Sequence, residues 1–394
     1  MKKEKKMKKI RHISLFSGCG GMDIGLQGGF KVHKKFVKKK SISNWVLMPK
    51  TKIETVFAND IKKSSYNFWQ ENILKDQSIF KLGSIVDFVK DFKKGKKVFP
   101  KNIDLVTGGF PCQDFSVSGL RKGFNSHKSH LNDYKVIKKN ESRGKLYLWM
   151  KEVISITKPK IFIAENVKGL TNLKHIFETI KNDFKKTGDG YTVAVKELYA
   201  PNYGIPQSRK RIFFVGVNNK FIKSKKIKLN IDDLFPEREF NKSESLFDSL
   251  PIYPLAQHFF DDLKEPSEEK YDLAQKSYSK AKYIKGLQGQ TEVKELGIAP
   301  TIRSEHHGNI EFRYLDKANG GTNIKKKEIS QRRLSVRECA RIQTFPDNLK
   351  FVFNNKDKNG LSASEGYKLI GDAVPPLLSY KFAKKIEKFL IKYL

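Results

Sequence analysis

Apolar runs of strand length recur along the first half of the chain, separated by amphipathic segments. "IRHISLF" opens at Ile10, "ETVFAND" ends at Asp60 and "NIDLVTGGF" ends at Phe110, with "PKIFIAENV" and "RIFFVGV" following. Between them, "LYLWMKEVISIT" and "LKHIFETIKNDF" space their apolar residues as one face of a helix requires. Strands alternating with helices predict βαβ units, and hence a doubly wound, mostly parallel α/β sheet covered on both faces. The alternation breaks near Val217. Residues 218–330 are irregular, and a second, smaller domain is expected there. Helical spacing returns in "RRLSVRECARIQTF", so 331–369 reads as a hinge and bridging helix. Residues 370–394 read as a C-terminal helix that starts at a Pro-Pro pair and returns to the first domain. That domain then covers 8–217, and 1–7 is a basic tail.

With 394 residues, 38% of them hydrophobic, the chain can fill two cores. No apolar run approaches the roughly 18 residues of a membrane span. "MKKEKKMKKIR" lacks the apolar stretch of a signal peptide, so a cytoplasmic protein is expected. Cys19, Cys112 and Cys339 lie far apart with no C-x-x-C spacing. A disulfide framework or structural zinc is therefore not expected, and no metal is assigned.

Charge changes the picture more. The chain carries a net charge of +36, which attracts a polyanion such as nucleic acid over long range. Lysine filling every solvated face of a Lys-rich chain accounts for the excess equally well. Arginine narrows the choice: there are only 12, mostly between Arg209 and Arg341. Where lysine is the default, a retained arginine marks a place that needs a flat, multi-donor fork.

Two stretches carry candidate chemistry. "LFSGCGGMDIG" follows a strand and opens a helix, so its glycines can bring backbone N–H groups close to a ligand. Asp60, at the carboxyl end of the next strand, stands where a doubly wound sheet holds a ribose hydroxyl. The pair implies an adenosine-containing cofactor and leaves NAD and S-adenosylmethionine both open. "GGFPCQDFSVSG" puts Cys112 directly after Pro111 in a glycine- and serine-rich turn, where a thiol is either buried packing or a nucleophile.

The order "FSGCGG", "AND", "GGFPCQDFSVSG", "AENV", "QSRKR", "RRLSVRECARIQTFP", "GDAVPP" resembles the DNA cytosine-5 methyltransferases of bacterial restriction–modification systems. The matching blocks cover most of the chain outside 218–330. The resemblance implies S-adenosylmethionine as cofactor, S-adenosylhomocysteine as product, and duplex DNA as partner. It implies a monomer that shares its site with a cognate endonuclease without binding it, and a bacterial protein held at the nucleoid by DNA. Cofactor contacts would come from Phe16, Ser17, Gly18, Cys19, Gly20 and Gly21, with Asp60 on the ribose. Ser84, Ile85, Gly109, Pro111, Leu146, Asp372 and Ala373 would complete that pocket.

Cys112 would add as thiolate to cytosine C6, making C5 nucleophilic toward the methyl group. An ordinary thiol is only about 3% ionised at pH 7, so the site must favour the thiolate or trap it. Glu165 in "AENV" would protonate N3, which asks for a raised carboxyl pKa in an enclosed pocket. Arg209 and Arg211 alternate in "QSRKR", so both are expected on one face of a strand as catalytic partners, with Arg211 on cytosine O2. The base must leave the duplex to be reached. Gln113, Ser116, Ser118, Arg121, Arg143 and Gln207 would contact the DNA. In 218–330, the position of the family's target-recognition domain, Thr301, Ile302, Arg303 and Arg313 would do the same, the arginines on guanine edges or phosphates.

Three departures from the family stand out. Ser84 replaces an acid that often meets the adenine amino group, Asp372 replaces the usual Asn, and the connection over 31–55 is long. A tRNA methyltransferase of the same superfamily and a catalytically dead DNA-binding relative are the alternatives. The long recognition segment argues against the first, and the intact Cys112, Glu165 and Arg211 argue against the second.

The charge generates a prediction. DNA affinity should fall steeply with salt, by about 0.9 in log–log slope for each phosphate neutralised. Removing residues 1–9 deletes six lysines and none of the matching blocks. Fluorescence-anisotropy titrations from 50 to 200 mM salt should give the truncated protein a shallower slope and unchanged site preference. An unchanged slope would make the tail a merely solvated end.

Overall fold

A computed structural model describes residues 9–38, 41–74, 76–110, 146–243, 250–260, 262–280, 291–293, 297–304, 311–314, 331–354 and 360–394. The first strand, β1 (Ile10–Leu15), sends Ile13 and Leu15 into one apolar core and Ile10 into another. The same division runs through the neighbouring strands, as a two-residue period demands. Phe162, Ala164, Ile212 and Phe214 join the first core, while Ile161, Ile163, Phe213 and Val215 join the second. Both faces of the sheet are therefore buried, which is why its strands read as near-continuous apolar runs.

After β1 come α1 (Gly21–Gln27), a small hairpin of β2 (Lys31–His33) and β3 (Trp45–Leu47), then β4 (Ile53–Asp60) and α2 (Lys63–Asn72). β5 (Phe80–Leu82), α3 (Ile85–Lys93), β6 (Leu105–Gly109), α4 (Leu146–Thr157), β7 (Ile161–Val167) and α5 (Lys174–Lys185) continue the alternation. The large sheet closes with β8 (Tyr191–Tyr199) and β9 (Lys210–Asn218), in the spatial order β5-β4-β1-β6-β7-β9-β8. All pairings are parallel except those of β9, which is antiparallel to both β7 and β8. The connection from β8 to β9 holds only a single 3-10 turn, too short for a helical crossover, so the chain turns back as a hairpin. The predicted α/β sheet stands, with this reversal added to it.

Beyond β9, α6 (Asn219–Ser224) and the stretch to Phe240 lie against the large sheet. Phe221, Ile227, Leu234 and Phe235 share the core of Phe213 and Val215, and Phe213 and Phe235 both meet Phe382 at ring distances of 5.0 and 5.9 Å. The expected start of a smaller domain at 218 thus falls on a stretch packed against the first. Farther on come α7 (Leu273–Lys276) and a three-stranded sheet of β10 (Thr291–Glu292), β11 (Glu311–Tyr314) and β12 (Gln331–Arg333).

α8 (Val336–Ile342) is wholly buried and starts at a reciprocal cap between Ser335 and Glu338. Its neighbourhood absorbs the arginines. Arg332 forks between Glu265 (2.7 Å) and Glu338 (2.8 Å), Arg337 binds Asp272 (2.6 Å), and Arg341 pairs with Asp347 and Asp262. The guanidiniums are buried, and each meets at least one carboxylate. α9 (Ala363–Asp372) and α10 (Pro376–Tyr393) end the chain. α10 lies so close to α1 that a Cβ on Gly25 would fall 2.2 Å from the Pro376 carbonyl oxygen.

The chain's order along the sheet reverses between β1 and β6, and ligands of open α/β sheets bind outside the strand ends at such a point. A buried polar chain braces it. Thr55 and Ser14 donate to the two carboxylate oxygens of Asp23 at 2.9 and 2.8 Å. The His12 ring lies 3.0 Å from the Thr55 hydroxyl and 2.8 Å from that of Thr107. Because the Thr55 proton goes to Asp23, His12 Nδ1 must donate to Thr55 and Nε2 must accept from Thr107. Burial pushes His12 down to about 3 and Asp23 up to about 6.

His12 stays neutral in the fold but charges in the unfolded chain below its ordinary value of 6.5. The unfolded state then binds the extra proton, so this group's contribution is lost as pH falls from about 6.5 toward 3. In His12→Gln that loss is absent. Urea unfolding of both proteins should show the wild type's advantage, on the order of a few kcal/mol at pH 7, shrinking by pH 5. A gap independent of pH would contradict the neutral imidazole.

Candidate active site

The carboxyl ends of β1, β4, β6 and β7 open into one cavity of about 500 Å³, the size of a small-molecule site. After β1 the backbone turns at once, with positive φ at Phe16 (53°), Gly18 (53°) and Gly20 (68°). That turn presents Gly18 N–H to Asp60 Oδ2 at 2.9 Å, while Lys62 N–H takes Oδ1 at 2.9 Å. Each oxygen of Asp60 thus has one backbone donor and a further lone pair to offer. Trp69 Nε1 donates to the Gly18 carbonyl (3.1 Å) and fixes the turn from below.

Around this acid the cavity is lined by Phe16, Ser17, Gly18 and Gly21 from the turn, and by Ser84 and Ile85 at the start of α3. Gly109, Leu146, Asp372 and Ala373 of the expected set line it too. Ser84 has a second duty: its hydroxyl accepts from Val86 N–H at 3.2 Å and caps α3. Cys19 and Gly20 do not line the cavity. Cys19 is buried against the Leu369 carbonyl (3.3 Å), and burial raises its thiol pKa. Gly20 faces Trp69 and Ile73. The turn needs both residues; the cavity wall does not contain them.

Glu165 stands at the far side. It is 7% exposed, near the end of β7, with Arg211 Nε 3.0 Å from its Oε1. Arg211 is paired in register with Val167, which puts it diagonally across from Glu165 on the same face of the sheet. Burial raises the Glu165 pKa. The charges of Arg211 and Arg209 work against that shift, and Asp372 adds to it. Gly109 lies directly opposite: a Cβ there would sit 3.0 Å from Glu165 Oε2. Asn166 Nδ2 donates to the Phe110 carbonyl at 3.2 Å, tying the end of β7 to the point where the cysteine segment departs. Pro111, Cys112, Gln113, Ser116, Ser118, Arg121 and Arg143 lie outside the described residues.

Three more residues of the expected set are buried. Arg209 precedes β9, so strand alternation does not govern it. It is buried, and its guanidinium donates to the carbonyls of Ile302 (3.0 Å), Gly371 (3.0 Å) and Ala373 (2.9 Å). These contacts make it a clasp between two cavity walls. Gln207 is fully buried between Ile302 N–H and the Gln343 amide, so it presents nothing to DNA. Ile302 is buried as well (2% exposed). Thr301 and Arg303 line the cavity, and Arg313 lies in β11. Lys62 was not foreseen. Its ammonium crosses to Asp372 Oδ2 at 2.7 Å, and only its place two residues after Asp60 could have drawn notice. Among the described residues, no group of His, Cys, Asp and Glu is arranged to hold a metal.

Comparison with known proteins bears on the family and the fold. The model of the C-5 cytosine-specific DNA methylases matches residues 10–388. The type II methyltransferase M.BspRI of Lysinibacillus sphaericus is 31% identical over 99% of this chain and 84% of its own. M.BsuRI of Bacillus subtilis is 30% identical over 98% of this chain and 81% of its own. Among solved structures, the Dnmt2 methyltransferase of S. pombe shares the fold, with a TM-score of 0.59 over 97% of this chain and 99% of its own at 17% identity. A match running from the first strand to the last helix, over a cavity that joins Asp60 to Glu165, makes this chain a member of the C-5 cytosine-specific DNA methylase family.

Proposed function

We propose that this chain transfers a methyl group from S-adenosylmethionine to C5 of a cytosine flipped out of a specific duplex DNA site, releasing S-adenosylhomocysteine. The observation that carries the reading is one cavity with Asp60 on one wall and the Glu165–Arg211 pair on the other. The wall residues fit the cofactor. Asp60 keeps a free lone pair on each oxygen for ribose hydroxyls, Phe16, Ile85 and Leu146 offer apolar surface for a purine, and no Cβ closes Gly18 or Gly109. When bound, S-adenosylmethionine supplies an electrophilic methyl group.

The residues then divide the work. By the family resemblance, the Cys112 thiolate forms the bond to cytosine C6. Glu165, whose hold on a proton burial strengthens, gives that proton toward N3 as electron density moves into the ring. Arg211 supports the carboxyl group and donates to O2. Gly109 leaves room for the base beside Glu165. After methyl transfer, loss of the C5 proton lets the ring expel the thiolate. We assign the recognition role to the segment between 241 and 330, with Thr301 and Arg303 at the cavity edge. The enzyme acts as a cytoplasmic monomer beside an endonuclease that reads the same site.

Tritium transfer from labelled S-adenosylmethionine, with duplex DNA or tRNA as acceptor, tests the reading, and bisulfite sequencing of a plasmid carrying the gene gives the site. Cys112→Ser should abolish transfer to DNA while cofactor and DNA still bind. Transfer within tenfold of wild type, or preference for tRNA, would overturn it.

Glu165 adds a pH dependence. Its acid form, favoured by burial, is lost as pH rises through its elevated pKa. Glu165→Gln should slow single-turnover transfer about 10²–10⁴-fold near neutrality. The ratio of wild-type to variant rate should then fall toward alkaline pH, because Cys112 ionisation cancels in the ratio. A flat ratio would remove Glu165 as the proton donor.

A further inference from the structure

We infer that Lys62 is a positioning residue for the cofactor cavity, acting by holding Asp372 in place across its mouth; this rests on the S-adenosylmethionine reading. Lys62 is the last residue before α2, and its backbone N–H already binds Asp60. Its side chain spans from there to the last residue of α9, making a 2.7 Å pair with Asp372 Oδ2. Both residues line the cavity, and both side chains remain partly exposed (45% and 36%). The strap therefore joins the wall that carries Asp60 to the wall formed by the end of α9.

Local chemistry explains why a strap is needed. Asp372 sits at the carboxyl end of a helix, where the backbone dipole already places negative charge. It also shares the cavity with Asp60, so an unneutralised carboxylate there meets a like charge and a helix end. Two cations hold this end of α9. Arg209 takes the carbonyls of Gly371 and Ala373, and Lys62 takes the carboxylate. Desolvation lowers the Lys62 pKa, but Asp372 and Asp60 outweigh it and the ammonium is held above its usual value. Neither member is at ease alone. Without Lys62, the Asp372 carboxylate is repelled from the cavity. Without the carboxylate, the ammonium turns to Asp60 and competes for the oxygens that a ribose would use.

The pair should therefore behave as a unit, and a double-mutant cycle reads that directly. S-Adenosylhomocysteine binding to the full chain is measured by isothermal titration calorimetry for wild type, Lys62→Met, Asp372→Asn and the double variant. Each single substitution should weaken binding about tenfold, and the double variant should recover to within about threefold of wild type. Lys62→Arg should bind like wild type, and the unfolding temperatures of the ligand-free proteins should agree, which separates positioning from loss of fold. Losses that add in the double variant, or single variants that bind like wild type, would overturn the inference while leaving the cofactor reading intact. Wild-type protein that does not bind S-adenosylhomocysteine would overturn both.

Discussion

Everything around the cavity depends on polar side chains buried along β1. Ser14 and His12 point from this central strand into the layer beneath α1, where a two-residue period in a wholly buried sheet would ordinarily place aliphatic groups. Asp23 reaches down from α1 to meet them, and Thr55 and Thr107 reach in from the strands on either side. A buried carboxylate is tolerable only when its oxygens are satisfied, so the geometry of the four elements is fixed by these hydrogen bonds together. Ser17 continues the chain: its hydroxyl donates to Ser14 and accepts from Asn59 N–H. The tight turn through Phe16 and Gly18 thereby inherits the position of the buried network, and with it the distance from Gly18 to Asp60.

Above this floor the cavity concentrates negative charge in a strongly basic chain. Asp60, Glu165 and Asp372 face one space, each partnered differently: by backbone amides, by a guanidinium, and by an ammonium from the neighbouring wall. The partner decides the task. Amides leave lone pairs on Asp60 for hydroxyl groups. A single guanidinium set against full burial leaves Glu165 disposed to carry a proton. The ammonium turns Asp372 from a repulsive charge into a strut.

Much of this is legible in the sequence because it is local. Glycine turns after a strand, an acid at the next strand's end and the "AENV" run each announce a backbone position that chemistry can use. What could not be read is non-local. β8 is an edge strand whose Lys196 and Glu197 interrupt apolar alternation, so its pairing with β9 and the reversal it forces leave little trace. Arg209 looks like Arg211 along the chain, but whether a guanidinium faces a cavity or a set of carbonyls depends on loops nearly a hundred and more residues away. The same holds for Gln207, whose amide is matched to Gln343. Arginine scarcity correctly marked places that need a rigid fork. It did not say that several of those forks grip the protein's own carboxylates.

The near-contact of α1 and α10 has a consequence for how the protein comes into being. Gly25 admits the Pro376 carbonyl so closely that no other residue fits, and Leu26 shares its core with Leu377, Phe382 and Ile386. The helix that opens the cofactor turn is therefore without its packing partner while the chain is still being translated. It gains that partner only when residues 376–393 have emerged from the ribosome, although domains generally start folding from their N-terminal side. A nascent chain consequently has the strands of the large sheet before α1 has α10 to pack against.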